Sequence, residues 1–276
     1  ATVEGDLGDA EHLTRALSGH DTVIHVAGLV AARSEAEFLA VNRDGTARLI
    51  EAATRAGADR FLLVSSAAAG GPASAAPLDG SEPPTPVTQY GRSKLAAEVV
   101  VRGSALRWTI VRPPAVYGPA DREMFRVFRA ATLGIAPVFG DGTMRLSLVF
   151  GPDLGQALVD AARASGTIGG TYYAAHPEIH TSRELIATLG RVVGRKVRVV
   201  PVPGLVARVA LGVTELASRV AGRATMLTRD KANEFLQAAW TCDPAPLTAA
   251  SGWRAAHDLE RGASLTLDWY RRHRWL

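Results

Sequence analysis

Short apolar runs and longer amphipathic stretches alternate along this chain. Residues 22–26, 61–64, 109–112, 147–150, 171–174 and 197–200 are runs of four or five residues dominated by β-branched, aliphatic and aromatic side chains, the length and composition of buried strands. Between them, 10–18, 35–56, 89–102, 122–133, 153–164 and 182–193 have the composition and spacing of helices. Strand and helix in regular alternation predict an α/β fold built on a doubly wound parallel sheet. Beyond Gly118 the pattern becomes less regular, which predicts a smaller appended lobe. Residues 72–87, rich in Pro, Ala, Ser and Gly, read as an irregular loop. In the stretch 204–222, Leu205, Val209, Val213, Leu216 and Val220 fall on one helical face, and Glu215 and Arg219 pair one turn apart on another. A helix packed within the lobe is the expectation there, rather than one lying on a membrane.

The chemistry concentrates in Tyr90-Gly91-Arg92-Ser93-Lys94, which places a phenol and an ammonium one helical turn apart on the same face. A tyrosine titrates near pH ~10, and a fixed neighbouring cation favours its phenolate, so Lys94 is expected to lower the Tyr90 pKa. The chain otherwise writes its positive charge as arginine: only Lys94, Lys196 and Lys231 are lysines among 31 basic residues. A compact ammonium with rotatable donors therefore stands at this position against the habit of the sequence. Upstream, the run Phe61-Leu62-Leu63-Val64 ends in Ser65-Ser66 and breaks into Ala67-Ala68-Ala69-Gly70-Gly71. That pattern delivers a hydroxyl at the C-terminal edge of a buried strand, where open α/β sheets bind ligands.

Ser66, Tyr90 and Lys94 together resemble the catalytic triad of the short-chain dehydrogenase/reductase superfamily. The words Asp21-Thr22-Val23-Ile24-His25-Val26-Ala27-Gly28, Val41-Asn42-Arg43-Asp44-Gly45-Thr46 and Arg112-Pro113-Pro114-Ala115-Val116-Tyr117-Gly118-Pro119 resemble its extended, epimerase/dehydratase-like branch. The resemblance implies a Rossmann-type core over 1–118 with 147–168, and a substrate lobe over 119–146 with 169–276. It implies NAD or NADP as cofactor, with Tyr90 as general acid/base, Ser66 bonding the substrate oxygen, and Lys94 lowering the Tyr pKa and holding the nicotinamide ribose. By the same resemblance Asp6 and Leu7 meet the adenine, Val26, Ala27 and Gly28 line the ribose and phosphates, and Pro114 lies against the nicotinamide. Asn42 would support the active-site lysine, a solvent-facing asparagine being the alternative. At Val149-Phe150-Gly151-Pro152-Asp153 the chain departs from the His-Val-Asp-Asp common in the family. In the family, Gly5-Asp6-Leu7 follows the third strand of the cofactor domain, so the glycine-rich phosphate turn and the two strands before it are expected to be missing, and with them the residue that separates NAD from NADP.

Composition narrows the rest. At 276 residues and 47% hydrophobic content the chain can bury one large core. The single Cys242 forms no internal disulfide and has no metal-ligand partner, so no metal site is expected and a reducing compartment, the cytoplasm, is. A formal charge of +4 comes from arginines scattered among acids, which argues against nucleic acid; the one run, Arg271-Arg272-His273-Arg274, reads as a helix end. No apolar stretch is long enough to span a bilayer. A homodimer is expected through the helices at 35–56 and 89–102, with exposed Ala52, Ala53, Ala96 and Ala97 allowing close approach. The small-molecule substrate stays open between a sugar nucleotide and a more apolar alcohol. Ala67, Ala68 and Ala69 offer a sugar ring no hydrogen bonds, whereas Arg145 after Gly140-Asp141-Gly142 could grip a diphosphate. A non-catalytic sensor on the same fold is the rival class, against which the intact triad speaks.

Overall fold

The computed structural model describes residues 2–221, 224–226 and 228–276; the side chains of Arg219 and Val220 lie outside that description, and with them the expected Glu215–Arg219 pair. The first half of the chain alternates as its pattern predicts: α1 (Ala10–Leu17), β1 (Thr22–His25), α2 (Glu35–Asn42), α3 (Asp44–Arg55), β2 (Arg60–Val64), α4 (Ala67–Gly70), α5 (Gln89–Arg102) and β3 (Arg107–Arg112). Next come β4 (Ala115–Tyr117), α6 (Arg122–Thr132), β5 (Ile135–Phe139), β6 (Arg145–Phe150), α7 (Gly151–Arg163), β7 (Thr171–Tyr173), β8 (Ile179–Thr181) and α8 (Ser182–Val193). The chain then runs through β9 (Arg198–Val202), α9 (Gly204–Val220), α10 (Ala232–Phe235), β10 (Ala239–Trp240), α11 (Ala245–Ser251) and α12 (Leu259–Arg272).

A four-stranded parallel sheet in the order β1-β2-β3-β7 carries helices on both faces. In β2, alternate side chains go to opposite layers: Phe61 and Leu63 pack with Leu49, Ala53, Ala97 and Val101 of α3 and α5, while Leu62 and Val64 pack with Ala157 and Ala161 of α7. Burial on both faces is the reason the strand reads as an unbroken apolar run. A second sheet, β10-β6-β4 with β8 antiparallel on β6, leads into the lobe, and β5 pairs with β9. The lobe core gathers Phe128, Leu189, Leu267 and Tyr270 from α6, α8 and α12. At the C-terminus the basic run ends α12, where His273 stacks on Trp269 and Trp275 on Tyr270.

Several expectations are corrected. The stretch 35–56 is two helices, because the Thr46 hydroxyl donates to the Asn42 carbonyl (2.6 Å) and the turn opens at Arg43. The strand at 171–173, assigned to the lobe from the sequence, is the fourth strand of the Rossmann sheet. Ala52, Ala53 and Ala97 are not exposed; they are buried where α3 and α5 pack on the sheet and on each other, so they offer no contact to a second chain. The α9 expectation is reversed: Leu205, Val209, Val213 and Leu216 face solvent, and Ala207 and Leu211 are the buried side. Asp153 accepts bonds from the amides of Ala256 and His257 and from the His257 ring (2.8 Å), strapping the C-terminal segment to α7. Among the described residues no helix is long and apolar enough to cross a membrane.

Candidate active site

Two elements bring Ser66 and Tyr90 together and set Lys94 one turn further along. Strand β2 delivers Ser66 as the N-cap of α4, and the Ser66 hydroxyl oxygen accepts from the Ala68 amide (3.1 Å), which fixes its direction. Helix α5 opens on Thr88, whose hydroxyl oxygen accepts from the Gly91 amide (3.1 Å), placing Tyr90 in the first turn and Lys94 one turn on. Gly91 is required by the crossing: a Cβ there would collide with the Ala68 carbonyl oxygen. The two helices therefore touch backbone to backbone, and Tyr90 stands beside Ser66, whose hydroxyl favours its phenolate.

Lys94 is buried, and its Nζ donates to the Val64 carbonyl at the end of β2 (2.7 Å). Burial pulls its pKa down to about 8, with the Glu98 charge opposing. It is no surface cation paired with Glu98, because that carboxylate is fully committed. Glu98 accepts from Ser65 Oγ (2.6 Å), from Arg112 Nε (2.8 Å) and Nη2 (2.7 Å), and from Arg102 (2.9 Å). This buried fork locks α5 to the C-terminal ends of β2 and β3 and so sets where Tyr90 and Lys94 stand.

The expected lowering of the Tyr90 pKa is not found. Burial pushes the phenol up to about 12; Ser66 opposes the rise and the Glu234 charge adds to it. The Lys94 ammonium is turned to Val64 and does not offset the burial. In this state Tyr90 is held firmly protonated.

Asn42 is buried rather than solvent-facing. Its Oδ1 accepts from the Leu29 amide (2.8 Å), and its Nδ2 donates to Leu29 O (3.1 Å) and Ser93 Oγ (2.8 Å). It clamps the loop after β1 onto α5. A Cβ on Gly28 would lie 2.9 Å from Asn42 Oδ1 and 3.7 Å from Lys94 Nζ, so bare backbone passes beside the ammonium. His25, at the end of β1, bonds Thr46 (3.0 Å), and burial, with the Lys94 charge second, lowers its pKa to about 4.

Ser66, Tyr90 and Pro114 share a cavity of about 310 Å³ walled by Ala67, Ala68, Ala115, Met144, Leu146, Phe235 and Trp240. Its polar groups besides Ser66 and Tyr90 are Ser147 and a Lys231–Glu234 ion pair; Lys94 does not line it. Val26, Ala27 and Gly28 lie exposed beyond the end of β1. Asp6 and Leu7 stand apart from the cavity: Asp6 Oδ1 accepts from the Gly8 amide (2.6 Å) and Leu7 packs on Gly45 of α3. Arg145 is exposed at the start of β6 and does not line the cavity. The sequence reading missed Lys231 and Glu234. Lys231 Nζ sits 5.7 Å from the centre of the Tyr90 ring, and Glu234 accepts from the Thr88 hydroxyl (2.7 Å). The only local signal was that Lys231 is one of three lysines.

A model of the NAD dependent epimerase/dehydratase family matches residues 1–175. The chain belongs to this family. A ceramide reductase of Caulobacter vibrioides is 35% identical over 277 residues, covering 99% of this chain and 81% of that protein. A UDP-glucose 4-epimerase of Azospirillum brasilense is 34% identical, covering 71% and 65% of the two chains. Among solved structures, MoeE5 in complex with UDP-glucuronic acid and NAD superposes with a TM-score of 0.77 at 23% identity, covering 98% of this chain and 85% of that one. The structure of RMD from Pseudomonas aeruginosa complexed with NADPH also gives 0.77, at 22% identity and 98% and 88% coverage. These neighbours show the fold, a Rossmann-type α/β scaffold with an appended lobe; the family and its reductase and epimerase relatives make this chain an enzyme.

The residues present suit a nicotinamide dinucleotide. An ammonium has three donors, and Val64 accepts from Lys94, so the others can meet ribose hydroxyls; at Gly28 no side chain stands between them and an approaching ligand.

Proposed function

We propose that this chain is an NAD- or NADP-dependent oxidoreductase interconverting a ketone and a secondary alcohol on an uncharged, lipid-like substrate, working chiefly as a reductase. The observation that carries this reading is the cavity at Ser66 and Tyr90, whose walls are mostly apolar and whose one cation, Lys231, is already neutralised by Glu234. A nucleotide sugar needs cations for its diphosphate and donors around its ring. The likeness over the whole chain to a ceramide reductase points to a ketone beside an amide on long hydrocarbon.

In this mechanism Tyr90 gives its phenolic proton to the carbonyl oxygen and Ser66 donates a hydrogen bond to the same oxygen as charge develops on it. The pKa of about 12 keeps Tyr90 in the acid form that reduction requires. Lys94 holds the ribose hydroxyls and stabilises the phenolate left behind. Pro114 backs the nicotinamide, Val26, Ala27 and Gly28 line the ribose and phosphates, and Asp6 and Leu7 meet the adenine. When bound, the nicotinamide supplies the hydride. We further propose a homodimer through the outer faces of α3 and α5, where Val99 is 61% exposed, and a cytoplasmic location in keeping with the single buried thiol of Cys242. A monomer by light scattering at micromolar concentration would refute the dimer.

The deciding experiment follows NADH and NADPH consumption with a long-chain α-acylamino ketone in mixed micelles and with a UDP-4-keto sugar, and product formation from UDP-glucose, since epimerisation and dehydration consume no net cofactor. Turnover of the acylamino ketone, lost in Tyr90→Phe, is expected. Turnover confined to the sugar nucleotides would replace this reading with an epimerase or dehydratase.

A further inference from the structure

The cavity at Ser66 and Tyr90 holds more polar side chains than the reduction of a ketone requires. Ser66 and Tyr90 both serve the ketone oxygen. Two of the other polar groups in the lining are already satisfied by the protein. The Ser147 hydroxyl oxygen accepts from the Cys242 amide (3.1 Å) while its proton goes to the Cys242 carbonyl (3.4 Å), and the Trp240 indole N–H donates to the Glu234 carbonyl (2.9 Å). The side chains of Lys231 and Glu234 remain. An ammonium has three donors. Among the described residues, Lys231 Nζ has the Glu234 carboxylate as its one hydrogen-bond partner.

The pair is built onto the start of α5. The Glu234 carboxylate accepts from the Thr88 hydroxyl (2.7 Å), the Asp230 carboxylate accepts from the Gln89 amide (2.8 Å), and the Asn233 side chain donates to the Val87 carbonyl (3.4 Å). Tyr90 is the next residue of that helix, so these three bonds fix the ammonium relative to the phenol. Nζ lies 5.7 Å from the centre of the Tyr90 ring and 5.9 Å from that of Phe235. The Lys231 side chain is 21% exposed and also lines a second cavity, of about 230 Å³, that borders Tyr90 as well. Its two remaining donors therefore have open space beside the phenol.

The group they suit is a neutral oxygen. Glu234 cancels the charge of Lys231 and would repel a phosphate or carboxylate, whereas an amide carbonyl accepts strongly and carries no charge. We propose that Lys231 is a specificity-determining residue, donating to the acyl carbonyl of an amide beside the reacting ketone. This assignment rests on the ketone-reductase reading and adds a second point of recognition to it. The ketone meets Ser66 and Tyr90, the acyl oxygen meets Lys231, and hydrocarbon lies along Met144, Leu146, Phe235 and Trp240. A ketone without the acyl oxygen would cover the ammonium and leave its donors unsatisfied, and that penalty sets the preference.

The test compares kcat/KM for a long-chain α-acylamino ketone with that for the ketone of equal length in which methylenes replace the amide. Wild type, Lys231→Met, and Lys231→Met combined with Glu234→Gln are assayed; the double variant strands no charge and keeps an acceptor for Thr88. Any influence of Lys231 on Tyr90 enters both substrates alike and cancels in the ratio of the two constants. Wild type should prefer the acylamino ketone, and both variants should lower the ratio about tenfold or more, mainly through KM. A wild type without preference, or a ratio that stays at the wild-type value in the variants, would overturn the role of Lys231 and leave the reductase standing. If neither ketone is turned over, the reductase reading falls and this assignment with it.

Discussion

Lys94→Met should make this protein more stable and all but inactive. The ammonium is buried, and its pKa falls from 10.5 to about 8. At 1.36 kcal/mol per unit, that shift withholds roughly 3 kcal/mol from the fold at neutral pH. Methionine fills a similar volume without a charge. Losing the bond to Val64 O (2.7 Å) returns about 1–2 kcal/mol of cost. The net gain is about 1–2 kcal/mol, or a rise in melting temperature of roughly 2–8 °C. Wild-type stability should climb as pH rises from 8 toward 10, because the unfolded chain still holds the lysine proton there and the folded chain releases it. The variant should lack that climb. Its kcat/KM should fall about 10²-fold or more, since the charge beside Tyr90 and the ribose donors are gone. The measurements are chemical denaturation at pH 7, 8, 9 and 10 and turnover of whichever substrate the screen finds. A destabilised variant, or equal pH slopes in both proteins, would refute the claim that Lys94 is held at a cost to stability for the sake of the reaction.

Glu98→Ala should cost about 3–5 kcal/mol in denaturant unfolding, because it strands Arg112 in the core without its carboxylate. Gly91→Ala should cut kcat/KM strongly while leaving most of the fold, since the added methyl pushes α5 off the Ala68 carbonyl and moves Tyr90 away from Ser66; activity equal to wild type would show that the contact has slack. Lowering pH from 6.5 to 4 should destabilise the protein by roughly 3 kcal/mol through His25, which stays neutral in the fold down to about 4 while the unfolded chain takes up its proton. His25→Gln should flatten that part of the stability profile, and a variant with an unchanged slope would remove His25 as the cause.

The parts of the fold legible in sequence were those set by local period. β2 could be read because both its faces are buried, and the turn after Ser66 because alanines and glycines interrupt the apolar run. Tyr90 and Lys94 could be placed on one face of α5 from spacing alone. What spacing cannot give is which apolar face of a helix meets the core. In α9 the longer side chains suggested the buried face, yet small Ala207 and Leu211 occupy the inside. Ala52, Ala53 and Ala97 misled in the opposite sense, since small residues that permit close helix approach were serving a contact within the chain. Glu98 and Arg112 were each visible, but their union depends on the register of α5 against β3, and no local word encodes that. The pKa of Tyr90 was misjudged for the same reason: burial raises it first, Lys94 turns to a backbone carbonyl, and the charge that adds to the rise arrives from the lobe.

That charge is Glu234, and it supplies a separate test of how the site is poised. Its carboxylate accepts from the Thr88 hydroxyl (2.7 Å), pairs with Lys231, and raises the Tyr90 pKa by disfavouring the phenolate. Glu234→Gln keeps an acceptor for Thr88, so the start of α5 should hold. It removes the negative charge and leaves the Lys231 ammonium, 5.7 Å from the centre of the Tyr90 ring, without its Glu234 partner. Both changes favour the phenolate, so the Tyr90 pKa should fall from about 12 toward its ordinary value. Reduction needs the protonated phenol, and its alkaline limb should therefore move to lower pH. Oxidation of the alcohol needs the phenolate and should speed up near neutral pH. The pH at which each limb turns reads this shift independently of total activity. Unmoved limbs in both directions would mean that Glu234 only holds the loop in place. The preference for reduction would then rest on burial of Tyr90 alone.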